Sequence, residues 1–178
     1  MHQDIDHILI TEEQLQARIK ELGADLTRDY AGKRPVFLGV LRGVVHFFAE
    51  VTKYVDTKCQ YDFMAVSSYG NSTESSGVLN VKMDVSIDLK GRHVVILEDI
   101  LDTGNTLSHV TKHLLAMEPA SLKICTLLDK PSRRTVELEA DYVGFTIPNE
   151  FVVGFGLDYM DYYRNLPYIG VIKPGVQP

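Results

Sequence analysis

Cysteine is scarce: Cys59 and Cys125 are the only two in the chain, they lie far apart, and each sits in an apolar or strand-like setting. That argues against a disulfide framework or a thiolate metal site, and both read as buried free thiols without a chemical role. Long apolar runs are missing as well. No stretch approaches the roughly 20 residues that a membrane-crossing helix needs, and Met1 to Asp6 has neither the basic start nor the apolar block of a secretory signal. The cytosol is the expected location. Positive charge is the third shortage. The chain sets 18 Lys and Arg against 24 Asp and Glu, a net charge of −6, which argues against general affinity for nucleic acid or an anionic membrane. An acidic chain can still bind a polyphosphate through backbone N–H groups, a few placed cations and a divalent metal. His46, His93, His109 and His113 have no partner spacing for zinc or a nucleophilic triad and read as packing or surface residues.

What is present suits one domain spanning residues 1 to 178, without repeat or linker. Thr11 followed by Glu12, Glu13 and Gln14 is a capping box, and Leu15, Ile19, Leu22 and Leu26 follow at helical spacing. Pro35 to Val40 reads as a buried strand that ends in the turn Leu41-Arg42-Gly43, and Val44, Phe47, Phe48 and Val51 continue as a helix. Tyr61 to Val66 alternates as a further strand. Residues 67 to 77 are small, polar and without periodicity, and strand-like patterning resumes from Val78 to Val85. The stretch 67 to 85 is expected to be a mobile lid or a disordered insert. Beyond it come strands at 122 to 128, 142 to 147 and 152 to 155, and an aromatic, proline-punctuated tail. Alternating strands and helices predict a mainly parallel sheet with helices on both faces.

Residues 94 to 107 carry the most chemistry. Val94 to Leu97 is an apolar, β-branched run of the kind that fills a strand covered on both faces, with Glu98 and Asp99 expected at its C-terminal end. Asp102, Thr103, Gly104, Asn105 and Thr106 then form a small-residue loop that opens a helix, whose free N–H groups and dipole favour an anion such as phosphate. Ligands of parallel sheets bind beyond the carboxyl ends of the strands, so four loops should converge there: Leu41 to Gly43, Glu98 to Thr106, Asp129 to Arg134, and Phe151 to Asp158.

The stretch Val94 to Leu107, four apolar residues, two acids, two apolar residues and Asp-Thr-Gly-x-Thr, resembles the signature of the type I phosphoribosyltransferases, which bind 5-phosphoribosyl-1-pyrophosphate (PRPP). Leu41-Arg42-Gly43, Ser68-Tyr69, Lys130, and Phe151-Val152 followed by Asp158 make residues 9 to 174 similar to the hypoxanthine-guanine phosphoribosyltransferases. The resemblance implies an α/β fold in which a mainly parallel twisted sheet is flanked by helices, with a small hood from the terminal segments. It implies a purine salvage reaction of a 6-oxopurine base with PRPP and magnesium, in a homodimer or homotetramer. In that scheme Glu98 and Asp99 hold the ribose hydroxyls and, with Asp158, the metal, and Asp102 is the general acid/base near N7 of the purine. Thr103, Gly104, Asn105 and Thr106 wrap the 5′-phosphate. Leu41, Arg42 and Gly43 take the pyrophosphate, in the family often through a cis peptide between the first two, and Arg164 approaches it. Lys130 binds the purine O6, Phe151 and Ile100 flank the base, Val152 meets its edge through backbone, and Ser68 and Tyr69 close over the site. Arg42 departs from the lysine that many members carry there.

Alone, several of these residues have blander readings. Glu98-Asp99 could end a solvated strand, Lys130 could be a surface lysine, and Phe151 could belong to the core. Asp161 competes with Asp158 as a metal ligand, and Arg133 and Arg134 read as a solvated basic turn or as phosphate contacts. A non-catalytic PRPP-binding regulator on the same fold is the alternative function. Such a regulator is expected to lose Asp102 or gain a basic face, and this chain does neither.

Overall fold

The computed structural model describes residues 2–67 and 80–177. Its larger sheet has six strands: β2 (Val36–Leu41), β3 (Gln60–Ser67), β4 (Asn80–Met83), β5 (His93–Leu101), β6 (Ser121–Asp129) and β7 (Tyr142–Thr146). They lie in the order β4-β3-β2-β5-β6-β7. All neighbours are parallel except the edge strand β4, which runs antiparallel to β3. The fold is therefore α/β with a mainly parallel sheet, as expected.

Three helices cover it: α1 (Glu12–Asp29), α2 (Val45–Thr52) and α3 (Asn105–Leu115). The capping box forms. Thr11 Oγ1 accepts from the Gln14 amide at 3.3 Å, and the Gln14 side chain accepts from the Thr11 amide at 2.9 Å. Alternation along the strands splits the core in two. Phe37, Val95 and Leu97 pack with Leu15, Ile19, Leu22 and Leu26 of α1 and Phe47 and Val51 of α2. Val36, Leu38, Val94 and Ile96 face the other way, onto Leu107, Val110 and Leu114 of α3. Cys125 lies in the first core, where burial pushes its thiol well up, and Cys59 is half-buried with its thiol raised for the same reason. Among the described residues no helix is long and apolar enough to cross a membrane.

The remaining strands, β1 (Ile5–Ile10), β8 (Val152–Val153) and β9 (Ile169–Ile172), form a small antiparallel sheet in the order β1-β9-β8, with Ile5 opposite Ile172 and Val152 opposite Val171. This is the hood from the terminal segments. Strands β1 and β9 have no counterpart among the elements read from local pattern.

Two local expectations are corrected. The strand expected over Val94 to Leu97 runs on to Leu101, because β6 continues to pair with it through Leu101↔Asp129. The strand expected over residues 152 to 155 stops at Val153, where Gly154 turns with φ +100 and Phe155 with φ +49. Between β6 and β7 the chain makes a 3-10 turn at Pro131–Arg133, so α3 is, among the described residues, the one helix on its face, with Leu89 packing beside it. Of the expected lid, residues 80–83 are strand β4, and the amides of Ser86 and Ile87 donate to Asp62 at 2.7 and 2.9 Å.

Candidate active site

The chain leaves β2 toward β3 on one side and returns as β5 on the other, so the β2/β5 junction is where the strand order reverses. Parallel sheets open a crevice at such a point. Here the opening has a specific cause: β2 and β5 stay paired only as far as Gly39↔Leu97, while β5 and β6 continue to Leu101. The next two residues of β5 are Glu98 and Asp99. They enter a cavity of about 340 Å³ lined also by Leu41, Arg42, Gly43, Ile100, Asp102, Thr103, Gly104, Thr106, Asp158 and Arg164.

The acid pair is withdrawn from water. Burial first, then the neighbouring Asp99 charge, pushes the Glu98 carboxyl well above the usual range. Burial also raises Asp99, opposed by hydrogen bonds from Glu98 and from the Ile100 amide, the latter at 2.8 Å. The two adjacent carboxyls thus disfavour carrying full negative charge together. Gly43 completes this corner. A Cβ there would overlap the Asp99 carboxylate, and the peptide between Leu41 and Arg42 is cis.

The next loop turns into α3 through Gly104 at φ +83, where a Cβ would also stand 2.8 Å from Val136. Gly104 is the N-cap and supplies no side-chain cap bond, which leaves first-turn amides for an anion. Residues 129–136 buttress this loop. The Thr135 amide donates to the Thr103 carbonyl at 3.0 Å, Arg134 donates to the Asp102 carbonyl at 2.8 Å, and Arg134 also pairs with Asp129. Arg133 Nε reaches Asp102 Oδ1 at 3.3 Å. The two arginines thus hold the Asp102 loop, a role that sequence reading did not find.

On the opposite wall, Arg164 pairs with Asp158 and with Asp161, both at 2.9 Å, and donates to the Gly156 carbonyl at 2.7 Å. Asp161 also lies 3.1 Å from Arg42. Its carboxyl is held below the usual range, by the hydrogen bond from Arg164 first and then by the Arg42 charge.

Four predicted residues do not line this cavity. Asn105 is exposed and accepts from the Thr135 hydroxyl at 3.2 Å. Lys130 is buried, not on the surface, and its ammonium donates to the Glu150 carbonyl at 2.9 Å. Phe151 is 56% exposed, which removes it from the core, and it stands edge-on to Tyr159 at 5.5 Å. Val152 is buried in the hood. Ser68 and Tyr69 lie outside the described residues. Val66, Leu101, Leu107 and Val110 line the cavity without having been predicted, since apolar residues carry no signal that separates a cavity wall from core.

A model of the phosphoribosyl transferase domain matches residues 9–160. The chain belongs to that family. It is 55% identical over 176 residues to the hypoxanthine-guanine phosphoribosyltransferase of Streptococcus pneumoniae, covering 99% of this chain and 98% of the relative. With the enzyme of the same name from Bacillus subtilis the identity is 51% over 176 residues, with 99% and 98% covered. The crystal structure of a hypoxanthine phosphoribosyltransferase from Staphylococcus aureus superposes with a TM-score of 0.94 at 50% identity, covering 98% of this chain and 95% of that one. Within the family the chain falls among the hypoxanthine-guanine phosphoribosyltransferases.

Proposed function

We propose that the chain transfers the 5-phosphoribosyl group of PRPP to hypoxanthine or guanine, releasing pyrophosphate and the nucleoside monophosphate, as a purine salvage enzyme of the cytosol. The observation that carries this reading is the convergence of Leu41-Arg42-Gly43, the acid pair, the Gly104 loop, Asp158 and Arg164 on one cavity at the β2/β5 crevice. Each part of PRPP finds a matching chemistry there. The first turn of α3 and Thr103 to Thr106 take the 5′-phosphate, Glu98 and Asp99 accept from the ribose hydroxyls, and Arg42, the Gly43 backbone and Arg164 face the pyrophosphate.

In the transfer the C1′–oxygen bond breaks with its electron pair leaving on pyrophosphate, and the purine N9 bonds to C1′. The proton on N7 passes to Asp102. Arg133 holds that carboxylate and Arg134 the backbone carbonyl of the same residue. The ribose becomes cation-like as the bond opens, so carboxylates beneath it and arginines at the leaving group stabilise opposite developing charges. Lys130 donates to O6, which adenine cannot match because an ammonium only donates and adenine carries an amino group there. Phe151, exposed beside Lys130's partner Glu150, stacks on the base opposite Ile100, and the Val152 backbone meets its edge.

The residues also fit magnesium. Glu98, Asp99 and Asp158 offer hard oxygen donors around one cavity, where the Arg164 charge also acts on Asp99. Among the described residues these three carboxylates do not form a cluster that would hold the ion unaided, so one or two of them would hold it together with substrate oxygens. Bound there, the ion would neutralise departing negative charge. The assembly is a homodimer or homotetramer, measurable by sedimentation.

The test is purified protein with PRPP and magnesium, comparing hypoxanthine, guanine, xanthine, adenine and uracil. The reading expects turnover with hypoxanthine, guanine or both, and none with adenine or uracil. Preference for adenine or uracil would overturn it.

A further inference from the structure

Asp161 sits at the tip of a tight turn. Tyr159 and Tyr162 exchange both backbone hydrogen bonds, at 3.2 and 3.1 Å, and the Asp161 amide donates to Asp158 Oδ2 at 2.8 Å. Met160 and Asp161 lie in the left-handed region, at φ 53 and 68, where residues with side chains are uncommon. Such backbone persists only where surrounding contacts hold it, and it gathers at functional sites. Its effect here is to aim one carboxylate at two arginines on different elements: Arg42 at 3.1 Å, from the loop after β2, and Arg164 at 2.9 Å.

Fixing Arg164 does not require Asp161. The same guanidinium is already held by Asp158 at 2.9 Å and by the Gly156 carbonyl at 2.7 Å. Arg42 differs, because among the described residues Asp161 is the one carboxylate within ion-pair distance of it. Asp161 therefore adds charge against the two cations more than it adds order.

We infer that Asp161 is a built-in competitor for the pyrophosphate group, an internal anion that holds Arg42 and Arg164 and yields them when pyrophosphate arrives. The inference rests on the assignment of those arginines to pyrophosphate. The magnitudes allow the exchange. The side chains of Arg42 and Asp161 are 71% and 61% exposed, and ion pairs so open to water are weak, while a multiply charged phosphate receives forked, charge-assisted bonds from arginine. Competition of this size lowers the affinity for pyrophosphate modestly and favours the product's departure, because the carboxylate is ready to reclaim the arginines.

The experiment is calorimetric titration of the full chain with magnesium pyrophosphate. Asp161→Asn keeps the side-chain shape and the backbone bond to Asp158. It should tighten pyrophosphate binding roughly three- to tenfold, the scale of one or two exposed ion pairs, and leave the affinity for inosine monophosphate unchanged. In the Arg42→Gln background the gain from Asp161→Asn should shrink, as two residues acting on each other require. Unchanged or weaker pyrophosphate binding in Asp161→Asn overturns the competitor. Arg42→Gln and Arg164→Gln separate the two levels. If each weakens pyrophosphate binding and Asp161→Asn still brings no gain, only the competitor fails. If neither arginine change matters, the pyrophosphate assignment fails with it.

Discussion

The Asp99 carboxylate packs directly against the Cα of Gly43, leaving no room for a side chain. Strand β5 and the end of β2 thereby share one corner of the cavity, the acid pair on one side and the cis Leu41-Arg42 peptide on the other. Gly43→Ala should displace the carboxylate or the loop. A shift of about 1 Å in a positioning group costs on the order of 100-fold, so kcat/KM for PRPP should fall by about that factor while the far-ultraviolet spectrum stays native. Near-normal kinetics would show that the contact has slack.

Asp102 is held by the segment after β6, its carbonyl by Arg134 at 2.8 Å and its carboxylate by Arg133 at 3.3 Å. Asp102→Asn preserves the shape and removes the proton acceptor. Turnover should drop by roughly 10²–10⁴-fold, with the dissociation constant of PRPP changed by no more than about twofold. Stopped-flow or steady-state kinetics beside a PRPP binding measurement reads both. Equal turnover would remove the acid/base role.

The buried Lys130 ammonium donates to the Glu150 carbonyl and is proposed to donate to the purine O6 as well. Lys130→Ala leaves the Glu150 carbonyl without its donor, which should cost about 1–3 kcal/mol of stability, read as a fall in the urea midpoint. The KM for hypoxanthine should rise at least tenfold while that for PRPP holds. A variant that loses stability but keeps its hypoxanthine KM would put the purine pocket elsewhere.

The raised Glu98 carboxyl makes stability depend on pH. In the unfolded chain this group ionises near 4.5, and in the folded protein only well above that. The folded state binds the proton more tightly, so its advantage is complete below about 4.5 and is lost as pH rises through the folded value. Glu98→Gln removes the titration. Measured without metal, the melting temperature of Glu98→Gln relative to the wild type should climb as pH rises above 4.5. A difference that does not vary with pH would contradict the raised Glu98 carboxyl.

Legibility in the sequence followed the range of the interactions. Helix α1 was readable because Thr11 and Gln14 cap it three residues apart, and the Asp102 loop because its small residues are contiguous. The C-terminal reach of β5 was not, since Glu98 and Asp99 do not look like strand and only pairing with β6 extends it. Strands β1 and β9 escaped for the same reason, with Ile5 meeting Ile172 across nearly the whole chain. Lys130 and Asp158 were placed through family likeness, where local pattern alone had left a surface lysine and two competing aspartates. What neither route supplied were links between loops: Arg133 to Asp102, and Asp161 to Arg42 across 119 positions.

The most direct test of the central claim is product stoichiometry. Purified protein is mixed with PRPP, magnesium and hypoxanthine, and inosine monophosphate and pyrophosphate are quantified over time. Phosphoribosyl transfer to the base predicts equal amounts of the two, formed together, with the reaction stopped by chelating the metal and restored by adding it back. Pyrophosphate without nucleotide, or nucleotide formed at the same rate under chelation, would contradict it.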